Sequence, residues 1–181
     1  MKIKTNFRWL YKIVLASVVA SMVFTLASTE VLGRAGYIMS FSILAVFIIL
    51  GVIFDVIGVA VTAAIEAPFH SMAAHRERGA VEALRLIKNA DKASSFCNDV
   101  VGDVTGIISG TTAALIAARL MEDLRMGNLL FPLLIPGVVT GLMVGGKAVG
   151  KTVAINNSTT IVLRVGKLFN VLRIKPNSKN K

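Results

Sequence analysis

From Tyr37 to about Ile65 the chain is almost wholly apolar and carries one charge, Asp55. A helix that crosses a membrane needs about 20 mostly apolar residues, and this run exceeds that. Three further stretches are similar. Ile13 to Gly33 carries only Glu30, Ser95 to Ala118 carries Asp99 and Asp103, and Asn128 to Gly146 carries no charge. Pro132 and Pro136 interrupt the last of these. The pattern predicts an all-α polytopic membrane protein with four transmembrane segments, the fourth broken by proline. Composition agrees: charged residues are 17% of the chain, against about a quarter in a soluble domain. That deficit excludes an ordinary soluble globule and a disordered chain. A single cysteine, Cys97, excludes a disulfide framework and a multi-cysteine zinc site.

The net charge of +10 would suggest nucleic acid in a soluble protein. Its placement predicts otherwise. With four spans and the N-terminus inside, 17 of the 20 Lys and Arg residues fall on the cytoplasmic side and 3 outside, namely Arg34, Arg119 and Arg125. Such an inside excess sets orientation. The expectation is a multi-pass protein of the cell membrane with both termini cytoplasmic. Its basic surface meets anionic lipid of the bilayer, with no nucleic acid partner. Lys-rich residues followed by an apolar run and Ala27-Ser28-Thr29 also resemble a secretory signal. The run is longer than the 7–15 residues of a typical signal, so an uncleaved first span is expected.

Between the spans, Pro68 to Asn89 reads as two short amphipathic helices parted by Gly79. Pro68 suits a first helical turn. Phe69, Met72 and Ala73 share one face, and Val81, Leu84 and Ile87 another. Ile161 to Lys175 has the same character, with Ile161, Val165, Leu168, Phe169 and Leu172 at helical spacing. These segments either lie along the membrane surface or pack as a cytoplasmic cap. Residues 1–36 form an additional N-terminal transmembrane segment, 37–175 the main membrane domain, and 176–181 a flexible tail.

Carboxylates inside membrane segments usually face a cavity or the bundle interior, because exposing a charge to lipid is unfavourable. Asp55, Asp99 and Asp103 are the three here. Asp99 and Asp103 are four apart, so both fall on one helix face, although Asp99 also stands near an expected helix start, where the dipole favours a carboxylate. Neither Asp55 nor Asp103 has an evident basic partner within a span. Hard cations such as Mg²⁺ prefer oxygen ligands, and Thr62, Thr105, Ser109 and Thr140 supply hydroxyls. Gly102, Gly106 and Gly110 repeat every four residues on the third span, and Gly137, Gly141 and Gly145 on the fourth. Small residues at that spacing let helices approach, which predicts close contacts at Gly106 and Gly141. A break at Pro136 and Gly137 would free carbonyls to ligate a cation. His70 and His75 lie in the amphipathic segment. No enzyme motif occurs, so a non-enzymatic protein is expected.

The stretch from about Phe54 to Leu172 resembles the transmembrane domain of the CNNM/CorC family of magnesium transporters. Arg76-Glu77-Arg78-Gly79 and Ala83 to Lys92 look like that family's basic juxtamembrane segment. Gly102-Asp103 stands where the family has Gly-Asn. Gly146-Lys147-Ala148-Val149-Gly150-Lys151-Thr152-Val153-Ala154 stands where it has Gly-Glu-x-x-Pro-Lys-x-x-Ala, and Asn156-Asn157 follows. Gly58-Val59-Ala60-Val61 replaces the family's Ser-Gly-Ser-Glu. The resemblance implies a homodimer that moves a divalent cation, Mg²⁺ first and Co²⁺ second, through a carboxylate-lined cavity. Asp103 would be the central ligand, with Asp55 and Thr62 completing the site, Asp99 beside it, and carbonyls near Gly137 contributing from span four. The departures at Val61 and Lys147 leave a second reading open: an accessory or assembly protein that kept the fold without transport.

Overall fold

The computed structural model describes residues 7–34, 36–124 and 130–172. These residues are 92% helical, with no strand among them. In order come α1 (Phe7–Arg34), α2 (Tyr37–Ala63), α3 (Glu66–Ala74), α4 (Ala80–Lys88), α5 (Ala90–Ser95), a π-helical turn (Phe96–Gly102), α6 (Asp103–Leu124), α7 (Leu130–Asn156) and α8 (Ser158–Val171). Tyr37–Ala63, Ala90–Leu124 and Pro132–Asn156 are long and apolar enough to cross a membrane. The chain is therefore a helical membrane protein. α1 adds the shorter apolar stretch Ile13–Val23. Arg125, the expected span start at Asn128 and the tail 176–181 lie outside the described residues.

Two expected boundaries move. The third span begins at Ala90 rather than Ser95, because α5, the π turn and α6 run on without a gap. Asp99 is therefore well inside a helix, and the dipole of a helix start, which fades within one turn, does not account for it. The fourth span is not broken. α7 continues through Pro136. Pro132 falls in its first turn, where a missing N–H removes no helical bond. Pro136 forfeits only the bond back to residue 132, a loss that membrane helices tolerate.

The chain divides into two compact units. The first comprises residues 1–52 and 99–146, the second 53–98 and 147–181. In the first unit α1 packs on α6, and Leu44, Ala113, Ile116 and Val139 form a buried cluster with Ile48 and Ile135 against it. A methyl group at Gly51 would lie 2.6 Å from Thr105 Oγ1, so glycine lets α2 lie close against α6. The Tyr37 hydroxyl donates to Asp123, tying the start of α2 to the end of α6. Outward-facing Leu133, Leu142 and Val144 of α7 and Ile38 and Ile49 of α2 are more than half exposed, as a lipid-facing surface requires.

In the second unit α4 packs on α3 and on α8. Ala60 and Val61 of α2, Phe69 of α3, Ala83, Leu86 and Ile87 of α4, Ala154 of α7 and Val162 of α8 form its core. Of the two arrangements open from the sequence, the amphipathic helices adopt the packed one. The face of α4 is rotated from the expected one: Ala83, Leu86 and Ile87 are buried while Val81 is exposed. The α4–α8 crossing is set by two glycines. Gly79 has φ +83, and a methyl there would strike the backbone of Gly166 and Lys167. A methyl at Gly166 would strike the carbonyl oxygen of Gly79 and the Ala83 amide. Lys167 also donates to Glu77 at 3.2 Å across this crossing.

Candidate functional site

The second unit holds a buried carboxylate. Asp55 is buried, 6% exposed, about 12 Å along the helix from the C-terminal end of α2. Its Oδ1 lies 4.0 Å from Lys147 Nζ on α7. Its Oδ2 is buried and has no hydrogen-bond partner. The sequence led us to expect no basic partner. Lys147 supplies one because α7 runs on past Gly146 to Asn156, which places this lysine inside a helix rather than beyond its end. At 4.0 Å the ammonium compensates the charge without donating a hydrogen bond.

Asn98, in the π-helical turn, brings a second buried oxygen to the same unit. Its Nδ2 donates to Ser94 Oγ at 3.3 Å, while its Oδ1 is buried without a partner. The side chain lies directly against Gly58 of α2, where a methyl group would strike the amide oxygen. Gly58 follows Asp55 by three residues, so the two share a face of α2. One face of α2 thus carries the Asp55 carboxylate and accommodates the Asn98 amide. The π turn adds a residue to the local register, a distortion that recurs at functional sites. Buried acceptors of this kind are normally satisfied. Neither Asp55 Oδ2 nor Asn98 Oδ1 accepts a hydrogen bond, and the one positive charge beside them, Lys147, stands 4.0 Å from the other oxygen of Asp55.

The other expected site residues are placed differently. Thr62 is exposed, and its hydroxyl donates to the Val59 carbonyl at 2.9 Å. Asp99 and Asp103 belong to the first unit and are exposed on its surface. Among the described residues no group of three or more His, Cys, Asp and Glu side chains is placed to hold a metal ion. Thr140 on α7 is exposed, and because α7 is unbroken at Pro136, no helix break frees a carbonyl near Gly137. His70 pairs with Glu66 on the same helix at 3.4 Å. Of the glycines expected at helix contacts, Gly102 is buried, and Gly106 meets Met143 Cε at 3.1 Å from an added methyl. Gly110, Gly137, Gly141 and Gly145 face open space within one chain. The contact expected at Gly141 is not made.

Sequence reasoning missed Asn98 and the pairing of Lys147. A neutral amide does not stand out against apolar neighbours as a carboxylate does. Its signal was local: an Asn one residue before Asp99, inside an apolar run. Comparison with known proteins finds no matching family model, no matching curated protein and no matching solved structure.

Proposed function

We propose that this membrane protein takes up a hard divalent cation, Mg²⁺ or one like it, at the Asp55 and Asn98 oxygens of its second unit. The observation that carries the reading is that two buried oxygens, Asp55 Oδ2 and Asn98 Oδ1, lack any partner. A carboxylate and an amide carbonyl are the ligands such ions prefer. A cation would satisfy both while displacing the Lys147 ammonium, which makes no hydrogen bond to Asp55. The resemblance of Phe54 to Leu172 to the CNNM/CorC transmembrane domain supports the same reading, with transport as the function. In this proposal Asp55 is the central ligand and Asp103 is not. Four spans with both termini cytoplasmic remain the arrangement that the 17-to-3 distribution of basic residues favours. A homodimer is proposed with it, because Asp99, Asp103 and the open glycines of α7 are surfaces that a second copy would cover.

One observation favours the second reading, an accessory protein without transport. Lys147 already neutralises Asp55, and a built-in ammonium can replace a bound metal permanently. Substituting Lys147→Gln separates the two. Where Asp55 binds a cation, removing the competing ammonium raises the apparent affinity for Mg²⁺. Where the pair is only structural, it lowers stability and Mg²⁺ restores nothing.

A further inference from the structure

The first unit carries an apolar groove that ends in a charged pocket. Tyr37, Phe41, Leu44, Ala45 and Ile48 recur at helical intervals, so they lie along one face of α2. The four from Phe41 to Ile48 line an open groove of 460 Å³, whose other side is formed by Val138 and Leu142 of α7. Leu44 and Val139 are buried at its base, while Val138 and Leu142 are more than half exposed at its rim. The volume is within the range of about 300–1,000 Å³ that small-molecule sites occupy. One turn before Phe41, Tyr37 lines a second cavity of 290 Å³ together with Arg119, Glu122 and Asp123 of α6. Leu120, three residues before Asp123 and on the same face of α6, lines the groove. Apolar and charged space are therefore stacked along the same two helices.

Their depths match a bilayer. Ile48 is close to the middle of the 27-residue α2. From Ile48 to Tyr37 the helix advances about 16 Å, roughly one leaflet of a hydrocarbon core about 30 Å thick. The groove thus lies at the level of acyl chains and the charged pocket at the level of headgroups. The pocket selects among headgroups, because one guanidinium and two carboxylates line the same space. A zwitterion matches this set: a phosphate pairs with Arg119, and an ammonium with Glu122 and Asp123. Asp123 already accepts a bond from Tyr37, but a carboxylate has about four acceptor positions and can take another donor. A primary ammonium brings three donors, whereas a trimethylated one brings none. We propose that the groove and the pocket together hold one zwitterionic phospholipid with a primary amine, of the phosphatidylethanolamine type. Its acyl chain lies between α2 and α7, and its headgroup lies on Arg119, Glu122 and Asp123. The site is independent of the cation reading above.

The test uses the purified full chain, stripped of lipid in detergent. It is returned to micelles doped with phosphatidylethanolamine, phosphatidylcholine or phosphatidylglycerol of identical acyl chains. Phosphatidylethanolamine should raise Tm by on the order of 5–10 °C at about 100 times Kd, and the other two by clearly less. Equal shifts with all three overturn the proposal, because a lipid that only coats the surface does not distinguish headgroups at this pocket. Glu122→Gln combined with Asp123→Asn should erase the advantage of phosphatidylethanolamine over phosphatidylcholine, and an advantage that survives overturns the headgroup assignment. Ala45→Phe and Val138→Trp stand at exposed positions on opposite sides of the groove. Each should fill it and abolish the lipid shift, with the lipid-free Tm close to the parent's. A shift that survives both overturns the groove as the acyl-chain site. A parent without a lipid shift, whose dimer in detergent dissociates on Ala45→Phe, assigns the groove to a second copy and overturns the proposal as well.

Discussion

Asp55 shows how far a single residue can be read from sequence. One charge in an apolar run must be buried against something or face a cavity, and the structure buries it. Its partner was not legible. Lys147 stood just past the uncharged window, and charge-based boundaries place such a lysine outside the span. Asn98 was not legible either, because an uncharged amide carries no electrostatic warning. Removing one member of a buried pair leaves an uncompensated charge, at about 3–5 kcal/mol in dry interiors. Lys147 is 22% exposed and 4.0 Å away, so Lys147→Gln should cost less, roughly 1–3 kcal/mol without metal. Thermal denaturation in a chelator measures this, and a loss near zero would show that the pair carries no weight. Asn98→Val removes an unsatisfied acceptor and should leave metal-free stability unchanged or higher. On the cation reading the same substitution weakens the Mg²⁺ response, and an unchanged response would take Asn98 out of the site.

At the level of elements, the length of the apolar runs marked the three helices that are long enough to cross a membrane among the described residues, but the roles of glycines and prolines were misjudged. A glycine every four residues specifies a face, not the neighbour that the face meets. The stripe on α7 meets nothing among the described residues, Gly106 on α6 meets Met143 as its spacing predicts, and the tighter approaches fall at Gly51, Gly58 and Gly166, which spacing did not mark. Gly79 is the exception, read from sequence as a divider and found at φ +83. A non-glycine residue held there is strained by about 1–3 kcal/mol, and its methyl would also meet backbone rather than a movable side chain. Gly79→Ala and Gly166→Ala should each lower Tm clearly, Gly166→Ala by the 1–3 kcal/mol or so of an overpacked contact. Gly141→Ala should leave the monomer's Tm unchanged. Denaturation of the three variants in one detergent checks this, and equal behaviour at 79 and 141 would contradict the α4–α8 crossing. Pro136 was read as a break because proline ends soluble helices. In α7 a single forfeited bond is not enough to stop a helix whose other backbone groups have no water to turn to.

For the whole molecule, class and broad order were legible because hydropathy and the distribution of Lys and Arg act over the full chain. The packing of α3, α4 and α8 into one core was not, since an amphipathic face fits a lipid surface as well as a protein one. Reporters placed after Arg34 and after Arg125 should read outside, and one after Leu172 inside. An inside signal at Arg34 would remove α1 as a span. The cation-binding site itself is tested by a Mg²⁺ titration of thermal stability on the purified full chain, beside Lys147→Gln and Asp55→Ala. Binding to the native state alone should raise Tm by on the order of 5–10 °C at about 100 times Kd. Lys147→Gln should reach that rise at lower Mg²⁺ than the parent, and Asp55→Ala should show none. A folded Lys147→Gln protein whose Tm ignores Mg²⁺ would contradict cation binding at Asp55.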